Sequence, residues 1–301
     1  MKTTGQNLTK YYIAGITAFA IWGFFSFVLK PLQAYPSLDI LFYRVFLCTA
    51  IMVLIAFTAK RRVLAKNIQL FKKLPAKEKQ RSIWLNIGGG VFLTSNWYFF
   101  IYAMNHISIK ATSLAYLVCP ILTTLLAFFL LKEKLNKLQW MAILLSAAGC
   151  MLLSLGHLID MAFSLVVALS YAAYLVCQRR NSGFDKFLVL TFHFVVSTVL
   201  LLPLYPFFSA VLPVSLSFYI YIAIISVLFT IVPLFLNLYA LTKLTSSTVG
   251  MLLNINPIIG FVIAVTVFNE HIDGIQFAAY AIIFLSVIIF NIRMKPKTEQ
   301  V

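Results

Sequence analysis

The sequence predicts an all-α integral membrane protein: ten transmembrane helices in two inverted five-helix repeats. Three observations lead there. Of 301 residues, 62% are hydrophobic and 11% charged, where an ordinary soluble domain carries about 25% charged residues. Ten apolar runs are each long enough for a helix to cross a hydrocarbon core of roughly 30 Å. The second half of the chain also repeats the first at a fixed offset, with the opposite charge placement in its links.

In chain order the runs are 11–29, 39–59, 83–104, 111–131, 138–155, 158–177, 187–208, 216–241, 247–268 and 272–292. Lipid cannot hydrogen-bond backbone groups, so a spanning segment is a helix or part of a closed barrel. Runs of this length without strict alternation are helices. The first run follows Lys2 and Lys10 as a secretory signal would. It exceeds a signal core of about 7–15 residues and leads through Lys30 and Pro31 into a second span, so it is expected to stay uncleaved. Cys48, Cys119, Cys150 and Cys177 lie within apolar runs without C-x-x-C spacing and read as small core residues.

A formal charge of +16, from 24 Lys and Arg against 8 Asp and Glu, would suggest nucleic acid in a soluble protein. Here the basic residues sit in short links between apolar runs, which is membrane topology and excludes a nucleic-acid partner. With a cytoplasmic amino terminus, 21 of the 24 fall on the cytoplasmic side, nine of them between Lys60 and Arg81, and only Lys30, Arg44 and Lys110 remain for the other. Both termini are therefore expected inside. The link at 60–82 also reads as a basic helix lying on the bilayer, either a topology anchor on anionic lipid or a regulatory site.

The repeat has an offset of 137. Tyr102 and Ala103 match Tyr239 and Ala240, Pro120 and Ile121 match Pro257 and Ile258, and Ala127, Glu133, Gln139 and Ala142 match Ala264, Glu270, Gln276 and Ala279, without a gap. Nearer the amino terminus a weaker alignment sets Trp22 against the region of Tyr171. Five spans per repeat force the second copy to enter from the opposite face. The links agree: L-K-E-K-L-N-K after span 4 carries three lysines, and its counterpart F-N-E-H-I-D-G after span 9 carries none. This divides the chain into a first repeat at 1–156, a second at 157–293 and a cytoplasmic tail at 294–301. Inverted repeats rocking about a midplane site are the common device of secondary transporters, which makes transport of a small-molecule substrate the leading function.

Three passages resemble the drug/metabolite transporter superfamily, its EamA-domain branch and within that the RarD-type permeases. They are I-W-G at 21–23, N-W-Y-F-F-I-Y-A-M-N-H at 96–106, and A-T-S-L-A-Y-L-V-C-P at 111–120 with K-E-K-L-N-K-L-Q-W following; T-V-G-M-L-L-N-I-N-P at 248–257 echoes the last. The resemblance spans essentially the whole chain. It implies ten helices, two inverted repeats, a central cavity and a place in a bacterial-type inner membrane, with export of a small metabolite, amino-acid-like compound or drug. Uptake of a small organic solute is the alternative direction. One departure is Cys119 before Pro120, where that family usually has Asn-Pro; Asn256 before Pro257 keeps the polar residue.

Candidate site residues follow from polar or helix-breaking groups inside apolar runs. Pro120 and Pro257 occupy equivalent places, and each removes one helical N–H, so the carbonyls of Tyr116 and Leu253 are expected to lose their partners. Those carbonyls become solute ligands, or the prolines only shape packing. Asn254 and Asn256 add amides that are costly against lipid. Arg44 lies about 7.5 Å along the helix from Asp39, and it either snorkels or pairs with Asp39, or holds a substrate carboxylate. In span 3, Asn96 precedes Tyr98, Tyr102 and Asn105, which share one face and line a cavity or form an aromatic belt. Trp22 and Ser26 share a face of span 1, with Tyr171 and Tyr174 at the corresponding place in span 6. His193 inside span 7 is either a proton relay or a hydrogen-bonded structural histidine. No carboxylate falls at mid-span, so no coupling ion is assigned.

Motifs for other classes are missing: there is no G-x-x-x-x-G-K-[ST], H-E-x-x-H or G-x-S-x-G. No cofactor, metal or enzyme activity is expected. Gly88 to Gly90 reads as close helix packing. A channel and a structural or receptor-like membrane protein are the remaining rivals.

Overall fold

A computed structural model of the protein describes residues 8–32, 34–106, 109–154, 158–181, 183–209, 212–267 and 274–292, and among them every regular element is helical. The elements are α1 (Thr9–Gly23), α2 (Phe25–Leu29), α3 (Ser37–Phe57), α4 (Arg61–Lys73), α5 (Ala76–His106), α6 (Ile109–Leu131), α7 (Lys137–Ser154), α8 (Leu158–Arg180), α9 (Lys186–Leu201), α10 (Tyr205–Phe208), α11 (Leu216–Ser226), α12 (Val232–Ala240), α13 (Ser246–Leu252), α14 (Ile255–Thr266) and α15 (Gly274–Asn291).

Five segments among the described residues are long and apolar enough to cross a membrane: Ser37–Phe57, Lys137–Ser154, Met161–Arg180, Leu216–Ala240 and Ser246–Ile263. The protein is an integral membrane protein. Its outer surface is apolar, with Leu144 68% and Phe207 82% exposed, which water would not tolerate over so large an area. Several predicted runs are cut where backbone chemistry interrupts them. Span 1 breaks at Phe24 between α1 and α2. The seventh run, expected to reach residue 208, ends its helix at Leu201, because Pro203 and Pro206 follow and α10 begins afresh at Tyr205. Span 8 is continuous but changes to a π turn over Val227–Ile231 between α11 and α12.

Local signals set the helix ends. Asn136 and Gln139 exchange backbone N–H to side-chain bonds of 3.0 and 2.9 Å before α7, a capping box. Asp185 accepts from the N–H groups of Phe187 and Leu188 at the start of α9, and Thr245 caps α13 through Thr248 N–H. The link at 60–82 holds α4, an amphipathic basic helix tied down where Asn67 Oδ1 accepts Asp185 N–H at 2.9 Å.

The helices pack as one bundle. α8 lies along α5 and α6, α9 along α3 and α5, α1 along α12 and α14, α11 along α3, α13 along α6, and α7 along α15. Small residues permit close approach: a side chain on Gly90 would start 2.6 Å from Val196, and one on Gly250 2.8 Å from Thr123. The Gly88–Gly90 stretch thus serves packing, as its apolar surroundings imply. Cys48, Cys119 and Cys150 are buried and all four cysteines are free thiols.

Contacts across the links identify the two ends of the bundle. At one end, Arg180 Nη2 donates to Leu130 O, Arg179 Nη1 to Leu241 O, and Glu133 accepts from Ser246 and Ser247, so the basic links gather there. At the other, Ser209 Oγ donates to Asp39 at 2.8 Å and the Tyr35 ring packs on Phe218.

Candidate functional site: an arginine over an aromatic ring

Arg44 stands one and a half turns beyond Asp39 on α3, and its guanidinium carbon lies 5.0 Å from the centre of the Trp97 ring on α5. This is a cation–π contact in a place sheltered from water. Arg44 Nε is buried without a hydrogen-bond partner. A guanidinium donor left open there costs about 1–3 kcal/mol or more, so the site is short of an acceptor. Tyr116 on α6 and Cys48 on α3 lie within electrostatic reach of the same charge. Asp39, meanwhile, accepts from Ser209. Main-chain anchors hold the level of Arg44: Ser226 Oγ donates to its carbonyl at 3.3 Å, and Cys48 Sγ donates to Ser226 O at 3.4 Å.

A neighbouring aromatic group joins α1 to α8, and Tyr171 within it lies in electrostatic reach of Tyr116. Trp22, in the last turn of α1, meets Tyr171 of α8 edge-on with ring centres 6.2 Å apart, and Tyr171 packs on Tyr174 at 5.7 Å. Trp22 Nε1 donates to Phe229 O at 2.8 Å. The acceptor has a simple origin. Pro233 has no N–H to offer the carbonyl four residues back, which is Phe229, so the π turn of span 8 presents an orphaned carbonyl to the broken end of α1. Farther along, Tyr171 Oη accepts from Asn237 Nδ2 at 2.9 Å, leaving Asn237 Oδ1 buried and open. Asn254, at the break between α13 and α14, is fully buried with both amide atoms unpartnered.

The sequence-predicted residues therefore separate. Arg44 and Tyr116 come together, and Trp22 pairs with Tyr171 of α8. Tyr174 and His193 form a second buried group, ring centres 5.7 Å apart. Asn96 is buried and gives its amide to Val167 O at 3.0 Å, clasping α5 to α8. Tyr98 lies outside the cluster: it is 40% exposed and stacks on Tyr102, itself 41% exposed and stacked on Phe163. One residue after Trp97 turns the side chain by about 100° on a helix, so Tyr98 points away from Trp97. Asn256 is half-buried in the first turn of α14. The side chains of Ser26, Asn105 and His106, and all of Glu270, lie outside the described residues.

The prolines behave unequally. Pro120 sits inside the continuous α6. Before Pro257 the chain breaks at Leu253 and Asn254, and the Leu253 carbonyl, expected to be free, accepts Asn256 N–H at 3.1 Å. The tighter turn recovers that group. Sequence reasoning missed Trp97, Asn237 and the pairing of Pro233 with Trp22. Pro233 and Asn237 each interrupt an apolar run and carried a usable signal; Trp97 is identified only by the helix it faces.

A profile described as the EamA-like transporter family matches residues 9–155 and again 158–292. A Pseudomonas aeruginosa protein described as an uncharacterized transporter is 29% identical over 95% of this chain and 94% of its own. The RarD protein of Salmonella typhimurium is 28% identical, covering 92% and 93%; a Bacillus subtilis transporter named YojE is 26% identical, covering 91% of each. One solved crystal structure, at 16% identity, superposes with a TM-score of 0.71 over 94% of this chain and 96% of that one, a likeness of fold alone.

Proposed function

The chain belongs to the EamA-like transporter family, and from that premise we propose that it is a secondary transporter carrying a small organic solute by alternating access, with export as its working direction. The solute is a metabolite, amino-acid-like compound or drug bearing a carboxylate or similar anionic group. The observation that carries this is Arg44: its Nε is buried and open, its guanidinium lies over the Trp97 ring, and Tyr116 lies within reach of its charge. An anionic group satisfies the open donor, and the rings receive the apolar remainder.

Alternating access rests on ten spans in two inverted repeats, 1–156 and 157–293, with the tail and amino terminus on the cytoplasmic side of the inner membrane. Two features support it. The family profile matches twice, once in each half. The main packing partners are also preserved on exchanging each span with the one five positions later: α8 along α5 and α6 becomes α1 along α12 and α14, and α5 along α9 becomes α11 along α3. Such a pseudo-twofold lets one half rock against the other about a central site.

The test is saturable flux in proteoliposomes against a panel of amino acids and other small carboxylates. Arg44→Ala is expected to cost roughly 2–5 kcal/mol of solute binding, about thirtyfold or more in apparent affinity, with Arg44→Lys recovering part. Flux that rises linearly with concentration, or that ignores Arg44, would overturn the reading.

A further inference from the structure

A second polar cluster lies between the Arg44 site and the basic end of the bundle. His193 of α9 is fully buried and neither ring nitrogen has a hydrogen-bond partner. Gln178 Nε2 and Tyr174 Oη, both on α8, are also buried and unpartnered. His193 Nε2 and Gln178 Nε2 converge on Gly89 of α5. A side chain there would start 2.8 Å from His193 Nε2 and would collide with Gln178 Nε2. Glycine is thus what leaves room for them. Buried polar atoms open in this number, on adjoining helices, are the setting in which interior water and mobile protons are held.

The cluster is continuous in both directions. Toward the basic end, Asn181 Nδ2 donates to Gln178 Oε1 at 3.3 Å and to Asn86 Oδ1 at 2.9 Å, and Lys186 Nζ donates to Asn181 O at 2.8 Å. Toward the aromatic site, Tyr174 meets His193 edge-on and packs on Tyr171, which faces Trp22. The described carboxylates with described side chains, Asp39, Glu78, Glu133 and Asp185, sit at helix starts or in links. In the interior, imidazole is the side chain able both to take up and to release a proton.

We propose that His193 is a proton-binding site that couples solute transport to a proton gradient, reached from the basic end through Asn181 and Gln178 and continuing to the aromatic site through Tyr174. A hydronium ion arriving from the basic end protonates the free imidazole nitrogen and leaves water, and the imidazolium later returns that proton to a water molecule on the aromatic side. The surroundings are otherwise sparing of charge. Lys186, two turns away on α9, acts on His193 electrostatically, with Arg179 and Asp185 around it. α8 contributes the titratable groups Tyr174 and Cys177, the latter donating to Leu85 O. α5 presents glycines, and α3 meets α9 at the uncharged Thr49, bonded to Phe194 O and Thr198. Within α12, Tyr239 stacks on Tyr11 instead.

The coupling rests on the transport reading; the proton site itself is testable without it. Deuterium exchange at the imidazole C2–H, followed by mass spectrometry on the intact protein in nanodiscs, reports each histidine separately. His193 is expected to exchange with a sigmoidal pH dependence, and Gln178→Leu is expected to slow it at least tenfold. A His193 that does not exchange, or exchanges without an inflection, overturns the proposal in the wild-type protein, whether or not any variant folds. In proteoliposomes, His193→Gln is expected to bring pH-driven accumulation of the panel solute back to the ratio seen without a gradient; accumulation as high as the wild type's also overturns it. Absence of counterflow from the wild type at equal pH counts against transport, while the exchange measurement still decides the proton site.

Discussion

Spans 4 and 9 carry the same proline at equivalent places and fold differently around it. In α6, Pro120 is absorbed into a 23-residue helix. Its neighbours suit a helix: Thr124 Oγ1 donates to Pro120 O at 2.8 Å, and Cys119 Sγ lies 3.7 Å from Thr123 Oγ1. In span 9 the chain stops α13 at Leu252, turns through Leu253 and Asn254, and restarts as α14 with Pro257 in its first turn. Asparagines at 254 and 256 favour turns where α6 has Leu117 and Cys119. A proline removes one donor in either context; the residues before it decide whether the helix bends or breaks. The second half thus carries a joint the first lacks, close to a buried asparagine with no partner. The two halves also reverse a clasp. In the first, Asn96 of span 3 donates to span 6; in the second, span 8 accepts from Trp22 of span 1.

The largest expected effect comes from the contact that ties the two spans together. Glu133, just past α6, accepts Ser246 N–H at 2.8 Å, Ser247 N–H at 3.1 Å and Ser247 Oγ at 2.6 Å at the start of α13. Losing these charge-assisted bonds in Glu133→Ala should destabilise the protein by about 3 kcal/mol, read as a lower Tm in nanodiscs. A Tm unchanged from wild type would mean the broken span is anchored elsewhere. Next comes packing on either side of the joint. Gly250→Ala puts a methyl 2.8 Å from Thr123 and should cost about 1–3 kcal/mol. Gly260→Ala, with nothing within 4 Å, should gain up to about 1 kcal/mol in helix propensity. Equal Tm shifts for the two would contradict the close approach of α13 to α6. The smallest stability effect is at the joint itself. Asn254→Leu removes two unpartnered buried amide atoms and should stabilise by about 1 kcal/mol, while solute flux falls. Flux at the wild-type level would show that the joint is not used in carriage.

Much of the fold is legible in order along the chain, because burial in lipid demands long apolar runs and helical backbone satisfaction. The capping residues Asn136 and Asp185, the glycine stretch and the amphipathic 60–82 link also follow from local chemistry. The site is less legible. Arg44 and Trp22 are visible as polar or amphipathic groups inside apolar runs, yet the same rule proposes Tyr98, which turns outward, and Asn96, which clasps two helices. Periodicity fixes which residues share a face but not which face meets a neighbour. His193 is visible as a histidine in a span, whereas its open neighbours, Gln178 beside the Arg179–Arg180 pair and Gly89 within a glycine run, carry no such signal.

By itself the sequence determined that this chain lives in a membrane, the order of its apolar helical runs, and which of its links gather positive charge, since each depends on solvation and hydrogen bonding within a few turns. The tertiary structure decided that Trp97 lies over Arg44, that the Phe229 carbonyl left by Pro233 is taken by Trp22, and that equivalent prolines leave one span continuous and divide the other. Those outcomes depend on which surfaces meet across hundreds of residues, and pairing at that distance is set by packing that no local pattern encodes.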